Sequence, residues 1–146
     1  MKFIGFERED EAIEWAKAKI GLEGPTGFCR AISSVDDNNN FIFVVVFSNF
    51  TSRNIDIHNA IEHSNKLTPK GFIKMWNEAM HYAFTQLGAK RVTGLVRASN
   101  TKARQFDERI GFKLEGVIRE AFEDDDLCVY GFLNKDFEEH RWHHGR

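Results

Sequence analysis

Cysteine is scarce in this chain. Cys29 and Cys128 are the only two, far apart and outside any CxxC pair, so neither a disulfide framework nor a cysteine-built metal site is expected. Long apolar runs are also missing. The longest, Phe41 to Phe47, falls well short of the roughly 20 residues a membrane-spanning helix needs. The first residues turn charged at Lys2 and Glu7, too soon for a secretory leader, and a cytoplasmic location is the expectation. Neither sign of charge dominates: the formal net charge is −2, which gives no global pull towards nucleic acid or a membrane surface. No repeat, low-complexity tract or Pro/Ser-rich linker divides the sequence. The expectation is therefore one domain over residues 1–146, with about 138–146 a loose tail.

What the chain does have is phenylalanine, 14 copies, so its core should be largely aromatic packing. Residues 9–20 place Ala12, Ile13, Trp15, Ala16 and Ile20 at the spacing of an amphipathic helix closed by Gly21. Phe28 to Val35 reads as a strand, and Asp36-Asp37-Asn38-Asn39-Asn40 as a turn. Phe41 to Phe47 is a continuous β-branched and aromatic run, suited to a strand buried on both faces. Asn54 to Ile61 alternates, with Asp56, His58 and Ala60 opposite the isoleucines, and leaves one face available for chemistry. The clearest helix runs from about Lys70 to Leu87, with Phe72, Trp76, Ala79, Met80, Ala83, Phe84 and Leu87 on one stripe and Gly88 as its cap. Arg91 to Ala98 follows as a strand. A short helix then opens near Asn100, with Ala103, Phe106 and Ile110 inward, and ends at Gly111. Lys113–Ala121 and Leu127–Leu133 form a hairpin around the acidic turn Glu123 to Asp126. This order predicts an α/β or α+β domain built on one mixed sheet, with a parallel right-handed crossover between Ile61 and Arg91.

The stretch from Asn100 to Gly116 carries the functional signal. Asn100 can cap a helix whose terminal amides and dipole favour an anion. Together with Gly111-Phe112 closing that helix and Glu115-Gly116 in the strand behind it, it resembles the signature of the GNAT acetyltransferase superfamily. Val117 to Glu120 and Leu127 to Leu133 continue the likeness. It looks closest to the branch that acetylates ribosomal-protein N-termini and to small phage acetyltransferases. The resemblance covers roughly residues 54 to 133.

It implies the GNAT fold, a single mixed and mostly antiparallel sheet with splayed parallel central strands and flanking helices. It further implies an acetyl-CoA-dependent N-acetyltransferase acting on a primary amine, plausibly on a protein. The pantetheine arm of acetyl-CoA would lie in a V between Asn54–Ile61 and Arg91–Ala98, with Ile61 beside it. The pyrophosphate would rest on amides at the start of the long helix, at Lys66, Leu67, Thr68, Lys70 and Gly71. Asn100, Ala103 and Arg104 complete the cofactor set. The family's phosphate loop is Arg/Gln-x-x-Gly-x-Gly/Ala, and here Thr68 and Lys70 occupy its two glycine positions. The family's acid is commonly a Tyr seven positions after the Asn, where this chain has Asp107, or in the ribosomal-protein branch a Ser three positions after, where it has Ala103. Tyr130 is the substitute considered. His58 or Glu62, with His63 behind them, is the candidate base.

Two other readings keep the fold: a module that has lost turnover, and a protein that acts on nucleic acid through Lys90, Arg91, Arg97, Lys102, Arg104 and Arg109. Cofactor phosphates or solvation account for those charges more economically, and no nucleic acid or membrane is expected as a partner. The tail around Trp142, with His140, His143 and His144, reads as frayed, with no metal expected. The acidic turn reads as a solvated tip that could attract a cation. The apolar composition permits a homodimer without requiring one.

Overall fold

The computed structural model describes residues 1–21, 27–62 and 66–140. Seven strands form one sheet in the order β1-β2-β3-β4-β5-β7-β6. They are β1 (Lys2–Gly5), β2 (Cys29–Val35), β3 (Phe41–Ser48), β4 (Asn54–Ile61), β5 (Arg91–Arg97), β6 (Lys113–Phe122) and β7 (Asp125–Leu133). Helices α1 (Glu9–Ile20), α2 (Pro69–His81), α3 (Thr101–Arg109) and α4 (Asn134–Glu139) flank it. Among the described residues only β4 and β5 run parallel; every other pair is antiparallel. No helix among the described residues is long and apolar enough to cross a membrane.

The run at residues 41–47 becomes the middle of the sheet because it can be buried on both sides. Phe43, Val45 and Phe47 join Met75, Trp76 and Met80 of α2 in one core. Val44 and Val46 point the other way and meet Ala12 and Ala16 of α1. Two small alanines let α1 approach the sheet closely, while the opposite layer is filled by rings. Phe132 stacks on Phe112 at 4.9 Å between centroids, and Trp76 meets Phe132 and Phe137 at 5.4 and 5.2 Å.

Three features depart from the sequence reading. The long helix does not stay α-helical to Leu87: it ends at His81 and continues as a π-helical turn, Tyr82–Gln86, in which Leu87 N–H donates to Tyr82 C=O. The wider turn keeps Tyr82, Ala83 and Phe84 buried, which the helical stripe alone would also suggest, so periodicity does not reveal it. β1 escapes pattern reading because four residues hold too little alternation; its pairing with β2 identifies it. The tail is not loose from residue 138. Glu138 and Glu139 belong to α4, which Phe137, only 3% exposed, pins to the core. Burying such a ring stabilises by about 2–3 kcal/mol, enough to order a short terminal helix. Trp142, His143 and His144 lie outside the described residues.

The sheet opens at its middle. β4 and β5 pair from Asn54 with Arg91 as far as Ile57 with Gly94, and there the ladder stops. β4 remains bonded to β3 up to Ile61, and β5 to β7 up to Arg97. Each strand is thus held firmly on its outer side while His58–Ile61 and Leu95–Arg97 diverge.

Candidate active site

The divergence produces a cleft of about 820 Å³. Its walls come from the open ends of β4 and β5, from Lys19 and Ile20 at the end of α1, and from Asn100, Ala103 and Asp107 of the α3 region. Phe122 and Leu127, at the tip of the β6–β7 hairpin, complete it. The hairpin is fixed there: Asp125 accepts hydrogen bonds from the backbone N–H and the hydroxyl of Ser99, and Ala98 N–H donates to Asp126 C=O at 2.9 Å. Arg97 lies over the Phe122 ring at 3.8 Å and faces Asp124 and Asp125.

Several expected site residues meet in this cleft. His58, Ile61, Asn100 and Ala103 all line it. Asn100 caps α3 as its residue type requires, its side-chain oxygen accepting from Ala103 N–H at 3.2 Å. His58 is partly buried, and burial pushes its imidazole below the ordinary histidine range, with Asp56 opposing in part. It is therefore neutral near pH 7 and able to accept a proton. Glu62 is ion-paired with Lys19 at 2.8 Å. His63 lies outside the described residues.

Other candidates sit elsewhere. Tyr130 is fully buried in β7 and does not line the cleft. Its hydroxyl donates to Glu108 Oε1 at 3.2 Å and accepts from Arg104 Nε at 3.2 Å, and burial raises its pKa. A hydroxyl so engaged and so placed has no path to a molecule in the cleft. Arg104 is a strut by the same network, with a second bond to Ala98 C=O. At the start of α2, Thr68 caps the helix and accepts from Gly71 N–H at 3.0 Å, and Phe72 N–H donates to Thr68 C=O. Pro69 has no N–H, so three of the first four helical positions have nothing left to offer a phosphate. Lys66 is paired with Asp36 at 2.9 Å, while Leu67 packs against the core and Lys70 is exposed. Among the described residues, none of Lys66 to Gly71 lines the cleft.

Two members of the basic stretch are ion-paired within the chain: Arg91 with Glu115 at 2.7 Å, and Arg97 with Asp124 and Asp125 at 3.8 and 3.9 Å.

Sequence reasoning passed over Asp107 as a candidate. It is 7% exposed, lines the cleft, and burial, reinforced by the charge of Glu108, pushes its carboxyl up to about 7. The signal was present. Asp107 lies four residues after Ala103 and three before Ile110, on the inward stripe of α3, where a carboxylate is out of place unless it has work.

No protein-family model matches this sequence, and no curated protein matches it by sequence comparison. Solved structures do. The chain resembles a chimera of the spermidine N-acetyltransferase SpeG from Vibrio cholerae with hSSAT, at 26% identity and a TM-score of 0.60, over 86% of this chain and 76% of that one. A point mutant of the same Vibrio cholerae enzyme matches at 27% identity and a TM-score of 0.59, over 85% and 74% of the two chains. A probable acetyltransferase matches at 23% identity and a TM-score of 0.62, over 74% and 63%. These likenesses support the GNAT fold and an acetyl-CoA-dependent N-acetyltransferase, and they select neither the ribosomal-protein nor the phage branch.

Proposed function

We propose that this chain transfers the acetyl group of acetyl-CoA to a primary amine of a small polyamine, with the pantetheine arm seated between β4 and β5. The observation that carries this reading is the split ladder. Beyond Ile57 and Gly94 the two strands no longer pair, and their freed backbone edges offer an extended arm with two amide groups the partners of a short strand. A backbone N–H on the freed edge of β4 then faces the thioester carbonyl, where it can hold the developing oxyanion. Asn100 and Ala103, at the capped N-terminus of α3, border the arm; Ile61 flanks it.

His58 is the preferred base. It is partly buried, neutral near pH 7 and on the cleft, whereas Glu62 is ion-paired with Lys19. The polyamine class is supported by the structural neighbours, which are spermidine N-acetyltransferases, rather than by the protein N-terminus that the sequence suggested. The acidic turn agrees with it. Phe122 and Leu127 line the cleft, so the carboxylates between them stand at its rim, and the Asp124 side chain is 88% exposed. A cationic acceptor would be drawn there. One neighbour is a dodecameric form of the Vibrio cholerae enzyme, and self-association of this chain belongs to the same reading.

The self-capped start of α2 favours a second reading, a GNAT-fold module without turnover. Calorimetric titration with acetyl-CoA, with ATP as control, followed by an acetylation assay on spermidine, separates them. Saturable binding near one site per chain with acetylspermidine formed is expected. Binding without product on any amine, or no binding at millimolar acetyl-CoA, would overturn the enzyme reading and favour the module.

A further inference from the structure

The split sheet places two titratable groups at one point and on opposite faces. Ile57 and Gly94 form the last pair before the strands part. His58 follows immediately on β4, and because Ile57 belongs to the α2-side core while Ala60 belongs to the α1-side core, the His58 side chain stands on the α1 face. Asp107 approaches the same point from α3. Its Oδ2 lies 3.5 Å from where a side chain on Gly94 would begin, which puts the carboxyl in contact range of the apex. Asp107 is more than nine-tenths buried and lines the cleft, and no described residue forms a hydrogen bond or ion pair with its side chain. A buried carboxyl with no protein partner, facing a cleft, is costly for a fold and is retained where it meets a ligand.

Resting on the acetyl-transfer reading above, we infer that the Asp107 carboxylic acid is the group that protonates the departing CoA sulfur. In the transfer, the amine nitrogen bonds to the thioester carbon from the α1 face and its surplus proton passes to His58. The C–S bond breaks, its electron pair stays on sulfur, and the Asp107 O–H proton moves to that sulfur to give the free thiol. The products are the amide and CoA. Asp107 regains a proton, and His58 loses one, through water in the cleft. The opposite faces matter: the attacking nitrogen and the leaving sulfur lie on different sides of the tetrahedral carbon, so acid and base serve them without exchanging protons directly.

The surroundings keep the acid protonated. Glu108 is its neighbour on α3 and disfavours a second negative charge. Arg104, which would do the opposite, is held by Tyr130 of β7 and by Ala98. His58 from β4 is neutral near pH 7, Arg97 from β5 is turned to the hairpin carboxylates, and Lys19 from α1 is paired with Glu62. Lys102 of α3 also borders the cleft, and it is exposed.

The test is the pH profile of kcat for the unmodified protein, with spermidine as acceptor, beside that of Asp107→Asn. The intact protein should lose rate as pH rises through about 7, where Asp107 gives up its proton. Asp107→Asn should lower kcat roughly a hundredfold, leave KM for acetyl-CoA within a few-fold, and flatten the alkaline limb. An acetyl thioester of an acidic aryl thiol, which leaves without a proton, should restore most of the lost rate. A flat alkaline limb in the intact protein would overturn the assignment whether or not the variant folds. Equal losses with both thioesters would overturn it as well. If acetyl-CoA binds but no amine is acetylated, the acetyl-transfer reading fails first, and Asp107→Asn then has no rate to change.

Discussion

The two ends of α2 and α3 that a CoA-binding fold would turn to the cofactor have opposite characters here. At the start of α3, Asn100 caps the helix from the cleft side, and the adjoining walls leave backbone edges, an imidazole and a carboxyl facing empty space. At the start of α2, Thr68 takes the amides of Gly71 and Phe72, Pro69 removes one, and Lys66 is drawn to Asp36 at the start of the β2–β3 turn. Both ends are capped by their own side chains, but one borders the cleft and the other lies away from it, with a proline in its first turn. The difference teaches where cofactor affinity should reside in this chain: in the acyl and pantetheine portion, at the split in the sheet, more than in the pyrophosphate.

The largest expected effect, after Asp107→Asn, is at the cleft end. His58→Gln should lower kcat by about a hundredfold while leaving acetyl-CoA affinity nearly unchanged. The sign with pH follows from the depressed imidazole: the base works above its lowered pKa and is lost as pH falls below it, so the acid limb of the intact protein should lie below the ordinary histidine value of 6.5. An acid limb that persists in His58→Gln would move the base to Glu62 or to water.

Asn100→Ala comes next and tests the same end through binding. It removes the acceptor for Ala103 N–H and should cost about 1 kcal/mol of stability. The affinity for acetyl-CoA should fall several-fold, measured by calorimetry beside a thermal melt. Loss of stability with affinity intact would make Asn100 a cap and nothing more.

Much of this architecture was legible in the chain, and the exceptions share a cause. Phe41 to Phe47 announces a central strand because hydrophobicity on both faces has few other uses. The Phe72-to-Leu87 stripe announces a helix because its period is unmistakable. Asn100 with Gly111-Phe112 announces the α3 region by spacing. The residues that decide the chemistry are less visible, since burial and partnership are tertiary facts. Asp107 and Glu108 are adjacent acids on paper, yet one faces the cleft with a carboxyl pushed up to about 7 while the other takes the Tyr130 hydroxyl. Tyr130 looked like an acid because tyrosine can be one, and the structure spends it on bracing α3 against β7. Thr68 occupies a glycine position of the family's phosphate loop; in the structure it is a helix cap that takes the Gly71 amide.

A moderate effect is expected at the α2 end, and it concerns stability more than activity. Lys66 and the Asn38 and Asn40 amides hold the Asp36 carboxyl down to about 2. A carboxylate with a depressed folded-state pKa adds stability that is present above its unfolded value of 3.8 and is lost as pH falls from there to about 2. Thermal melts of Asp36→Asn and the parent should differ at pH 6, and the difference should shrink below pH 4 and close near pH 2. If acetyl-CoA instead draws Lys66 away from Asp36, Asp36→Asn will raise cofactor affinity, and the contrast between the two ends would soften.

The smallest effect should come from Gly71→Ala. An added Cβ would meet the Met1 Sδ at 2.5 Å and the Thr68 Oγ1 at 3.0 Å. The Met1 contact is the end of a flexible, partly exposed side chain, which can swing aside, and the Thr68 hydroxyl needs to yield by only a few tenths of an ångström. In a phosphate loop of the glycine-rich kind, added bulk at such a place would block the backbone from the anion and cost most of the binding. Here the Gly71 amide already belongs to Thr68, so acetyl-CoA affinity should change less than threefold by calorimetry. A tenfold loss would mean that Thr68 releases this amide when the cofactor arrives, and that the α2 end takes part after all.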